Sequence, residues 1–215
     1  MTTQPRAKSS RIESSRIESN WVSIDVETAG PDPGAYPLLA IGACLVADPK
    51  VAFYVELIPD QTAADPASMA VHGLTMQHLR KHGTEPAVAM EELQQWLAEH
   101  VGGKPVMVGF NAPFDWMFIS QYFWYYLGHN PLGHAALDIK ALAMGLLRVR
   151  WGQTSFAALA EHCGLPTTLT HNALQDAQQQ ATLLAALITG PHQAPSPPST
   201  HPRSRRRDLQ DGQRT

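Results

Sequence analysis

Three short apolar runs between residues 21 and 58 predict three β-strands. The first run extends from Trp21 to Thr28, and a segment rich in glycine and proline ends it. The second and third runs extend from Leu38 to Val46 and from Val51 to Ile58, and a turn-forming Asp-Pro-Lys at 48–50 separates them. Short connections between consecutive strands indicate that the three form an antiparallel β-meander.

After these strands the apolar residues follow a helical spacing. The pattern predicts a short helix from Pro66 to Val71 that ends at His72-Gly73, and helices that begin after Thr75 and Thr84. The helix from Pro86 to Val101 has the clearest spacing, and Gly102-Gly103 ends it. Its apolar positions are Val88, Met90, Leu93, Trp96, Leu97 and Val101.

A second strand-forming region lies between the helices. The apolar run from Pro105 to Gly109 is typical of a buried strand. The predicted helices that follow are Phe114 to Leu127, Asp138 to Leu147, Thr154 to Cys163 and Asn172 to Ile188. We interpret Asp138 as a helix cap, and Trp124, Tyr125, Tyr126 and most phenylalanines as core residues. This order of elements predicts an α/β fold with a mixed sheet flanked by helices.

The two ends of the chain differ in composition from its middle. Residues 1–19 are polar and contain a tandem Ser-Ser-Arg-Ile-Glu, at 9–13 and 14–18, which is too short for a repeat architecture. Residues 191–215 are rich in proline and then in arginine. Neither end can form a core, so we predict two disordered tails around a single folded domain at residues 20–190.

Charge and cysteine content restrict the partners. The net charge of −3 argues against a broad basic surface, so metal ions and a few basic or aromatic groups would have to bind a nucleic acid locally. Cys44 and Cys163 lie in separate apolar segments, and we interpret them as reduced core residues. No apolar run reaches the roughly 18 residues of a membrane span, and the polar N-terminus lacks a secretory signal. We therefore expect a cytoplasmic protein without a membrane partner.

Two carboxylates on the first predicted strand are candidates for chemistry. Because side chains alternate between the faces of a strand, Asp25 and Glu27 face one way and Val26 the other. Two carboxylates on an apolar strand repel each other and are costly to bury, and a divalent cation with oxygen ligands removes both costs. Taken alone, the pair also fits an edge strand on which one carboxylate begins a turn and the other faces water.

A third acid follows the strand at 105–109. Asp115 lies at the start of the next helix, where α/β sheets commonly place functional residues, although an acid there also complements the helix N-terminus. Compensation of the helix N-terminus does not explain why aromatic residues surround this acid, namely Phe114, Trp116 and Phe118.

The last helix carries a fourth acid and a histidine. Asn172 and Gln175 are placed like an N-cap and its partner, which leaves His171 just outside the helix and Asp176 in its second turn. Leu183 and Leu187 continue the stripe of Asp176, so this carboxylate faces the core and needs a partner. A lone histidine before a helix would ordinarily be an exposed loop residue.

Three motifs together resemble a known family. Asp25-Val-Glu27, Phe110-Asn-Ala-Pro-Phe-Asp115 and His171-x4-Asp176, in this order and spacing, resemble the exonuclease motifs of the DEDDh 3′–5′ exonucleases, the superfamily of ribonuclease T and polymerase proofreading subunits. The resemblance covers about residues 20–190, and only Pro113 departs from it. It implies a ribonuclease H-like fold and the removal of nucleoside 5′-monophosphates from the 3′ ends of single-stranded DNA or RNA.

The resemblance also implies two divalent metal ions, Mg²⁺ or Mn²⁺, bound by Asp25, Glu27, Asp115 and Asp176. Asp25 would bridge both ions, Glu27 and Asp176 would bind the ion beside the attacking water, and Asp115 would reach the other ion. His171 would be the general base that takes the proton from that water. The charge argument agrees, because four converging carboxylates are tenable only with about two such cations.

The terminal nucleotide needs a binding slot beside these residues. The candidates are Thr28, His72 and Leu74, with Phe114 and Trp116 as stacking groups. His72 and Leu74 match a family segment that wedges between the last bases.

Three hypotheses about function remain open at this point. The first is an active 3′–5′ exonuclease on single-stranded 3′ ends. The second is a polymerase-associated proofreading or nucleic-acid-binding module in which the fold mainly serves assembly. The third is another metal-dependent phosphodiesterase or endonuclease on the same fold. Four clustered carboxylates favour an enzyme over a scaffold. The sequence leaves open a homodimer and a polymerase or repair partner.

Overall fold

Five strands form one mixed sheet in the order β3-β2-β1-β4-β5 in the computed structural model, which describes residues 17–190. The strands are β1 (Trp21–Thr28), β2 (Leu38–Leu45), β3 (Ala52–Glu56), β4 (Val106–Gly109) and β5 (Ala136–Asp138). The first three pair antiparallel, and β4 and β5 run parallel to β1. The predicted meander and the mixed sheet are therefore confirmed. The tails predicted at 1–19 and 191–215 lie outside the described residues, except for residues 17–19.

Seven α-helices of the described residues cover the sheet. They are α1 (Pro66–His72), α2 (Met76–His82), α3 (Pro86–His100), α4 (Pro113–Tyr122), α5 (Ile139–Leu147), α6 (Phe156–His162) and α7 (Ala173–Thr189). Side-chain oxygens cap five of them, because they accept a hydrogen bond from a backbone N–H in the first turn. These capping residues are Asp65, Thr75, Asp138, Ser155 and Asn172. Among residues 17–190, no helix is long and apolar enough to cross a bilayer.

Three predicted helix boundaries were wrong. The predicted helix from Phe114 to Leu127 is α-helical only to Tyr122, and a π-helical turn continues it over Phe123–Leu127. Asp138 is the last residue of strand β5, which has only three residues and is too short to show a periodic pattern in the sequence. The predicted capping role of Asp138 is confirmed, because its side chain accepts a 2.7 Å hydrogen bond from the Ala141 N–H. The helix predicted from Thr154 begins at Phe156, because Ser155 is its N-cap.

Some predicted core residues are exposed. Val88 is 44% exposed, because α3 turns its neighbours Ala89 and Met90 toward the sheet instead. Trp124 and Tyr125 are 51% and 77% exposed on the π-helical turn, which buries Phe123 alone. The prediction of core positions was therefore wrong for Trp124 and Tyr125, and the apolar spacing of α3 does not make Val88 a core residue. Both cysteines carry free thiols, Cys44 buried and Cys163 half-buried.

The core lies in two layers, one on each face of the sheet. On one face, α3 and α4 pack against Val22, Ile24 and Val26 of β1. On the other face, α5, α6 and α7 pack against the opposite side of β2 and β4. Since the even-numbered residues of β1 face α3 and α4, Asp25 and Glu27 face the layer that contains α7.

Gly42 allows α7 to lie close to the sheet. It pairs with Asp25 in the register of β1 and β2. A Cβ atom at this position would overlap the backbone of Ala173 and Leu174, at the start of α7. The first turn of α7 is thus held directly above β2, beside the residue of β1 that carries a candidate carboxylate, Asp25.

Candidate active site

Three carboxylates of the predicted set converge where β1 meets α7. Oxygen atoms of Asp25, Glu27 and Asp176 all lie within 4.8 Å of one another. Glu27 and Asp176 are buried and Asp25 is half-buried. Residues that are distant in sequence are brought together because β1 is central in the sheet and α7 packs across it.

Asp115 reaches the same strand from the other side. Its carboxylate is buried, and Oδ1 accepts a hydrogen bond of 3.1 Å from the backbone N–H of Val26, between Asp25 and Glu27. The turn before α4 is held in place by the other oxygen of the cap Asp138, which accepts from the Ala112 N–H at 2.8 Å. Asp115 is therefore positioned by two contacts that link α4 to β1 and β5.

Asp176 organises the loop that carries His171. Its Oδ1 accepts hydrogen bonds from the backbone N–H and the hydroxyl of Thr170, both at 2.8 Å, and its Oδ2 accepts from the His171 N–H at 2.9 Å. His171 has a left-handed backbone conformation with φ of 56° and an exposed side chain. The structure thus places the histidine beside a member of the carboxylate cluster, with its ring open to a substrate.

The electrostatics of the cluster disfavour its negative charges. Burial raises the pKa of Asp25 well above its ordinary value, and the charges of Asp115, Glu27 and Asp176 raise it further. Burial raises the pKa of Glu27 to about 7, with a contribution from Asp176. Burial also raises the pKa of Asp115, although the Val26 N–H opposes this. Without a cation, the folded protein therefore holds protons in this cluster near neutral pH.

The cluster fits divalent metal ions. Within residues 17–190, no lysine or arginine forms an ion pair with any of the four carboxylates. Carboxylate oxygens are the ligands that Mg²⁺ and Mn²⁺ prefer, and bound cations would offset the repulsion that raises these pKa values. The donor set therefore matches hard divalent cations better than thiolate-binding or imidazole-binding metals.

Gln180 belongs to the site and was missed in the sequence. It is 1% exposed, its Nε2 donates a hydrogen bond to Asp25 Oδ1, and its Oε1 accepts from the Phe110 N–H at 2.9 Å. It lies four residues after Asp176, on the apolar stripe that Leu183 and Leu187 continue. A second buried polar residue on that stripe is the signal that could have revealed it.

The predicted substrate contacts separate into two places. Thr28, His72 and Phe114 line a cavity of 180 Å³ together with Glu27. His72 Nε2 lies 3.3 Å from the Thr28 carbonyl oxygen, and its Nδ1 accepts from the Leu74 N–H at 3.1 Å, so the loop is tied to β1. Trp116 lines a different cavity against Asp138.

Comparison with known proteins decides the family. A family model described as an exonuclease, RNase T, matches residues 22–184, which is most of the chain. The chain belongs to the RNase T exonuclease family. This exonuclease is 43% identical over 165 residues to the 3′–5′ DNA exonuclease Cap18 of Escherichia coli, an alignment that covers 76% of the chain and 88% of Cap18. It is therefore a nuclease, a 3′–5′ exonuclease of the DEDDh type, and the resemblance seen in the sequence is confirmed.

Further relatives are larger or more distant. The PolC-type DNA polymerase III of Thermotoga petrophila is 26% identical over 188 residues, which cover 86% of the exonuclease but 13% of the polymerase. The nuclease domain of 3′hExo, a DEDDh family member bound to rAMP, superposes with a TM-score of 0.67 at 13% identity, with 80% of the exonuclease and 92% of that domain covered.

Exonuclease I of E. coli in complex with a dT13 oligonucleotide superposes with a TM-score of 0.63 at 18% identity, and the chain spans 41% of its length. Exonuclease I and 3′hExo confirm the predicted ribonuclease H-like fold.

Proposed function

We propose that this exonuclease removes nucleoside 5′-monophosphates one at a time from the 3′ ends of single-stranded DNA. The observation that carries the proposal is the convergence of Asp25, Glu27 and Asp176 within 4.8 Å, beside the backbone of His171. DNA is favoured because Cap18, whose name specifies a DNA exonuclease, aligns over 88% of its length. Complexes of Exonuclease I with oligonucleotides are consistent with a single-stranded substrate.

Two divalent cations, Mg²⁺ or Mn²⁺, would be held by Asp25, Glu27, Asp115 and Asp176. When bound, such ions supply a more acidic water and neutralise charge on the phosphate. The protein contributes the arrangement of the four carboxylates. Gln180 donates to Asp25, the Val26 N–H donates to Asp115, and Thr170 donates to Asp176, so three of the four are oriented by hydrogen bonds before any ion binds.

His171 would accept the proton of the attacking water at a ring nitrogen. Its side chain is exposed, while its backbone N–H is bonded to Asp176. The ring can therefore approach a bound substrate while its attachment point stays fixed relative to the carboxylates. An imidazole is suited to this transfer because it exchanges protons near neutral pH.

The terminal nucleotide would occupy the 180 Å³ cavity beside Glu27. Phe114 offers a ring for stacking, and Thr28 lines the cavity with its carbonyl oxygen 3.3 Å from His72 Nε2. Leu74 follows in the same loop, where it packs on a small apolar cluster with Ala29 and Leu79, and it would border the penultimate base. Trp116, in its separate cavity, would contact a more distant part of the strand.

Matched digestions test this function. Single-stranded DNA and RNA of one sequence and a dinucleotide, each labelled at the 5′ end, are incubated with Mg²⁺ or Mn²⁺. We expect a ladder that shortens from the 3′ end, with 5′-monophosphates as products and DNA cleaved faster than RNA. Internal fragments would instead indicate an endonuclease.

The polymerase relatives favour one alternative. Because the matched region is 13% of the PolC-type DNA polymerase III of T. petrophila, a similar sequence also occurs as a small part of a DNA polymerase. In the alternative function, this chain would be a polymerase-associated proofreading or nucleic-acid-binding module in which the fold mainly serves assembly. A scaffold has no use for metal ions, so stabilisation by Mn²⁺ together with 3′-end cleavage would exclude it.

A further inference from the structure

A lysine and a tryptophan lie beside the active site and have no part in the function described above. Lys140 is in the first turn of α5, and Trp151 is in the short 3₁₀-helix Trp151–Gln153. Lys140 Nζ lies 4.1 Å from the centre of the Trp151 ring and 5.8 Å from the centre of the Phe110 ring. These distances are those of cation–π contacts, so the three side chains form one cluster, named here the aromatic–lysine cluster.

The aromatic–lysine cluster lies at the same end of the sheet as the carboxylates. Strands β1, β4 and β5 are parallel, so their C-terminal ends lie at the same end of the sheet. The pairing of Ser23 with Val108 brings Phe110 to the level of Asp25. Gln180 connects the two directly, since it bonds both the Phe110 N–H and Asp25.

Charge along the chain supports contact with an anion. The lysines and arginines of residues 17–190 are Lys50, Arg80, Lys81, Lys104, Lys140, Arg148 and Arg150. The last three lie close to Trp151 in sequence, and residues 139–160 contain no acid. The preceding acid, Asp138, accepts backbone hydrogen bonds with both oxygens. In a chain with net charge −3, this is a local basic segment with an aromatic residue inside it.

The exposed part of Trp151 is available for stacking. The residue is 52% exposed although Lys140 lies against its ring, so a large part of its surface faces solvent. Nucleobases stack on such rings with little dependence on sequence, and lysine adds attraction to the phosphates. A small anion would be attracted by the charge of the lysine but would not stack on the tryptophan ring.

We propose that the aromatic–lysine cluster binds the single-stranded substrate on the 5′ side of the scissile bond. Trp151 stacks on a base, and Lys140 contacts a phosphate while its alkyl chain supports the rings. The inference rests on the proposed function, because it assigns a further subsite to the same substrate. It also explains how an acidic protein can hold a polyanion close to four carboxylates.

Binding of DNA tests the proposal without cleavage. The dissociation constant of a 5′-fluorescent single strand of about 12 nucleotides, within the usual range for such sites, is measured by anisotropy in the full-length Asp25→Asn protein. In that background we expect Lys140→Gln and Trp151→Ala each to raise the dissociation constant about tenfold. Lys140→Gln should also reduce the slope of log affinity against log salt by about one.

Two matched variants serve as controls. Lys50→Gln removes a lysine from the turn after β2, at the end of the sheet away from Glu27. Trp124→Ala removes a similarly exposed tryptophan from the π-helical turn that follows α4. Both should change the dissociation constant less than about twofold, far below the effect of losing a stacked base.

The outcomes separate this proposal from the proposed function. If Lys140→Gln and Trp151→Ala bind DNA like their controls, the aromatic–lysine cluster is not a substrate site. If they weaken binding but the unmutated chain does not shorten DNA from the 3′ end with Mg²⁺ or Mn²⁺, the exonuclease proposal fails and the binding surface stands. In active protein, the preference for the long strand over a dinucleotide, compared as kcat/KM, should fall about tenfold in both variants.

Discussion

Gln180 Nε2 donates a hydrogen bond to Asp25 Oδ1, while Gln180 Oε1 accepts one from the Phe110 N–H. Because both ends of the amide are engaged, its orientation is determined and the donor must face the carboxylate. This bond lowers the pKa of Asp25, although the larger effect of burial raises it. Gln180 thus favours the ionised form of Asp25, which is the form that binds a metal.

Gln180→Met should weaken metal binding and destabilise the fold by free energies of similar size. We expect Mn²⁺ affinity to fall about 10- to 100-fold, as when a residue that orients a metal ligand is lost. The buried Phe110 N–H loses its partner, which costs about 1–3 kcal/mol of unfolding free energy. Thermal shift against Mn²⁺ concentration measures both effects.

Gln178→Met is the control for this substitution. Gln178 lies two positions earlier in α7, and its amide donates to the Pro49 carbonyl, away from the carboxylates. Mn²⁺ affinity should be unchanged in this variant. Equal Mn²⁺ affinity in both variants would show that Gln180 has no influence on the site.

Gly42→Ala tests whether the close approach of α7 assembles the site. The new methyl group would overlap the backbone of Ala173 and Leu174, so α7 must move away from β2. Overpacking of this kind costs about 1–3 kcal/mol, and the shift of Asp176 should lower kcat as well. Urea denaturation and single-turnover cleavage measure the two effects.

Gly145→Ala is the matched control, since no atom would lie within 4 Å of the added carbon in α5. Alanine is the better helix former, so this variant should be as stable as the parent or up to about 1 kcal/mol more stable. If Gly42→Ala behaves like Gly145→Ala, the packing of α7 against Gly42 does not position the site.

The convergence of Asp25, Glu27 and Asp176 could be predicted from the sequence because their positions are unusual for acids. Asp25 and Glu27 are acids on an apolar strand, and Asp176 is an acid on an apolar helix stripe. Such positions are rare unless a site requires them. Gln180 has the same position on that stripe, but a neutral amide is a weaker signal than a charge, and its two partners are distant in sequence.

The aromatic residues were harder to assign, because apolar character does not distinguish a core from a binding surface. Phe114 and Trp116 are two positions apart on α4, so they point in different directions and line different cavities. Trp124 and Tyr125 are exposed because a π-helical turn changes the rotation that α-helical spacing assumes. Local backbone irregularity of this kind has no periodic signature in the sequence.

The metal-free protein should lose stability as pH rises from about 4 toward 8. Burial raises the pKa of Asp25, Glu27 and Asp115 above the values of unfolded carboxyls, near 4, so the folded state binds more protons in this range. These groups therefore stabilise the folded state most at low pH. Their contribution to the free energy of unfolding is lost as the pH rises through their pKa values in the folded state, which for Glu27 is about 7.

Melting curves in chelator between pH 5 and 8 provide the measurement. Asp25→Asn should show a shallower loss of melting temperature than the parent, because one of the repelling charges is gone. Saturating Mn²⁺ should remove the difference between low and high pH in the parent. If the melting temperature of the parent instead increases from pH 5 to 8, with the same slope as that of Asp25→Asn, the pKa values of this cluster are not raised.

His171→Ala should separate catalysis from metal binding. If His171 is the general base, kcat should fall about 10²- to 10⁴-fold. The four carboxylates remain, so stabilisation by Mn²⁺ should persist in His171→Ala and weaken in Asp176→Asn. Single-turnover rates and thermal shifts on the same preparations give both values. A His171→Ala variant with nearly normal kcat would leave the water to be activated by another group.

We propose a metal-dependent site for cleavage at 3′ ends, formed by Asp25, Glu27, Asp115 and Asp176. Its most direct test is digestion of a 5′-labelled linear single-stranded DNA beside a circular DNA of the same sequence, with Mn²⁺ or with chelator, by the parent and by Asp25→Asn. We expect the parent with Mn²⁺ to shorten only the linear strand from its 3′ end, and neither Asp25→Asn nor chelator-treated protein to cleave. Cleavage of the circle, or equal activity in chelator, would show that the four carboxylates do not form a metal-dependent site for 3′ ends.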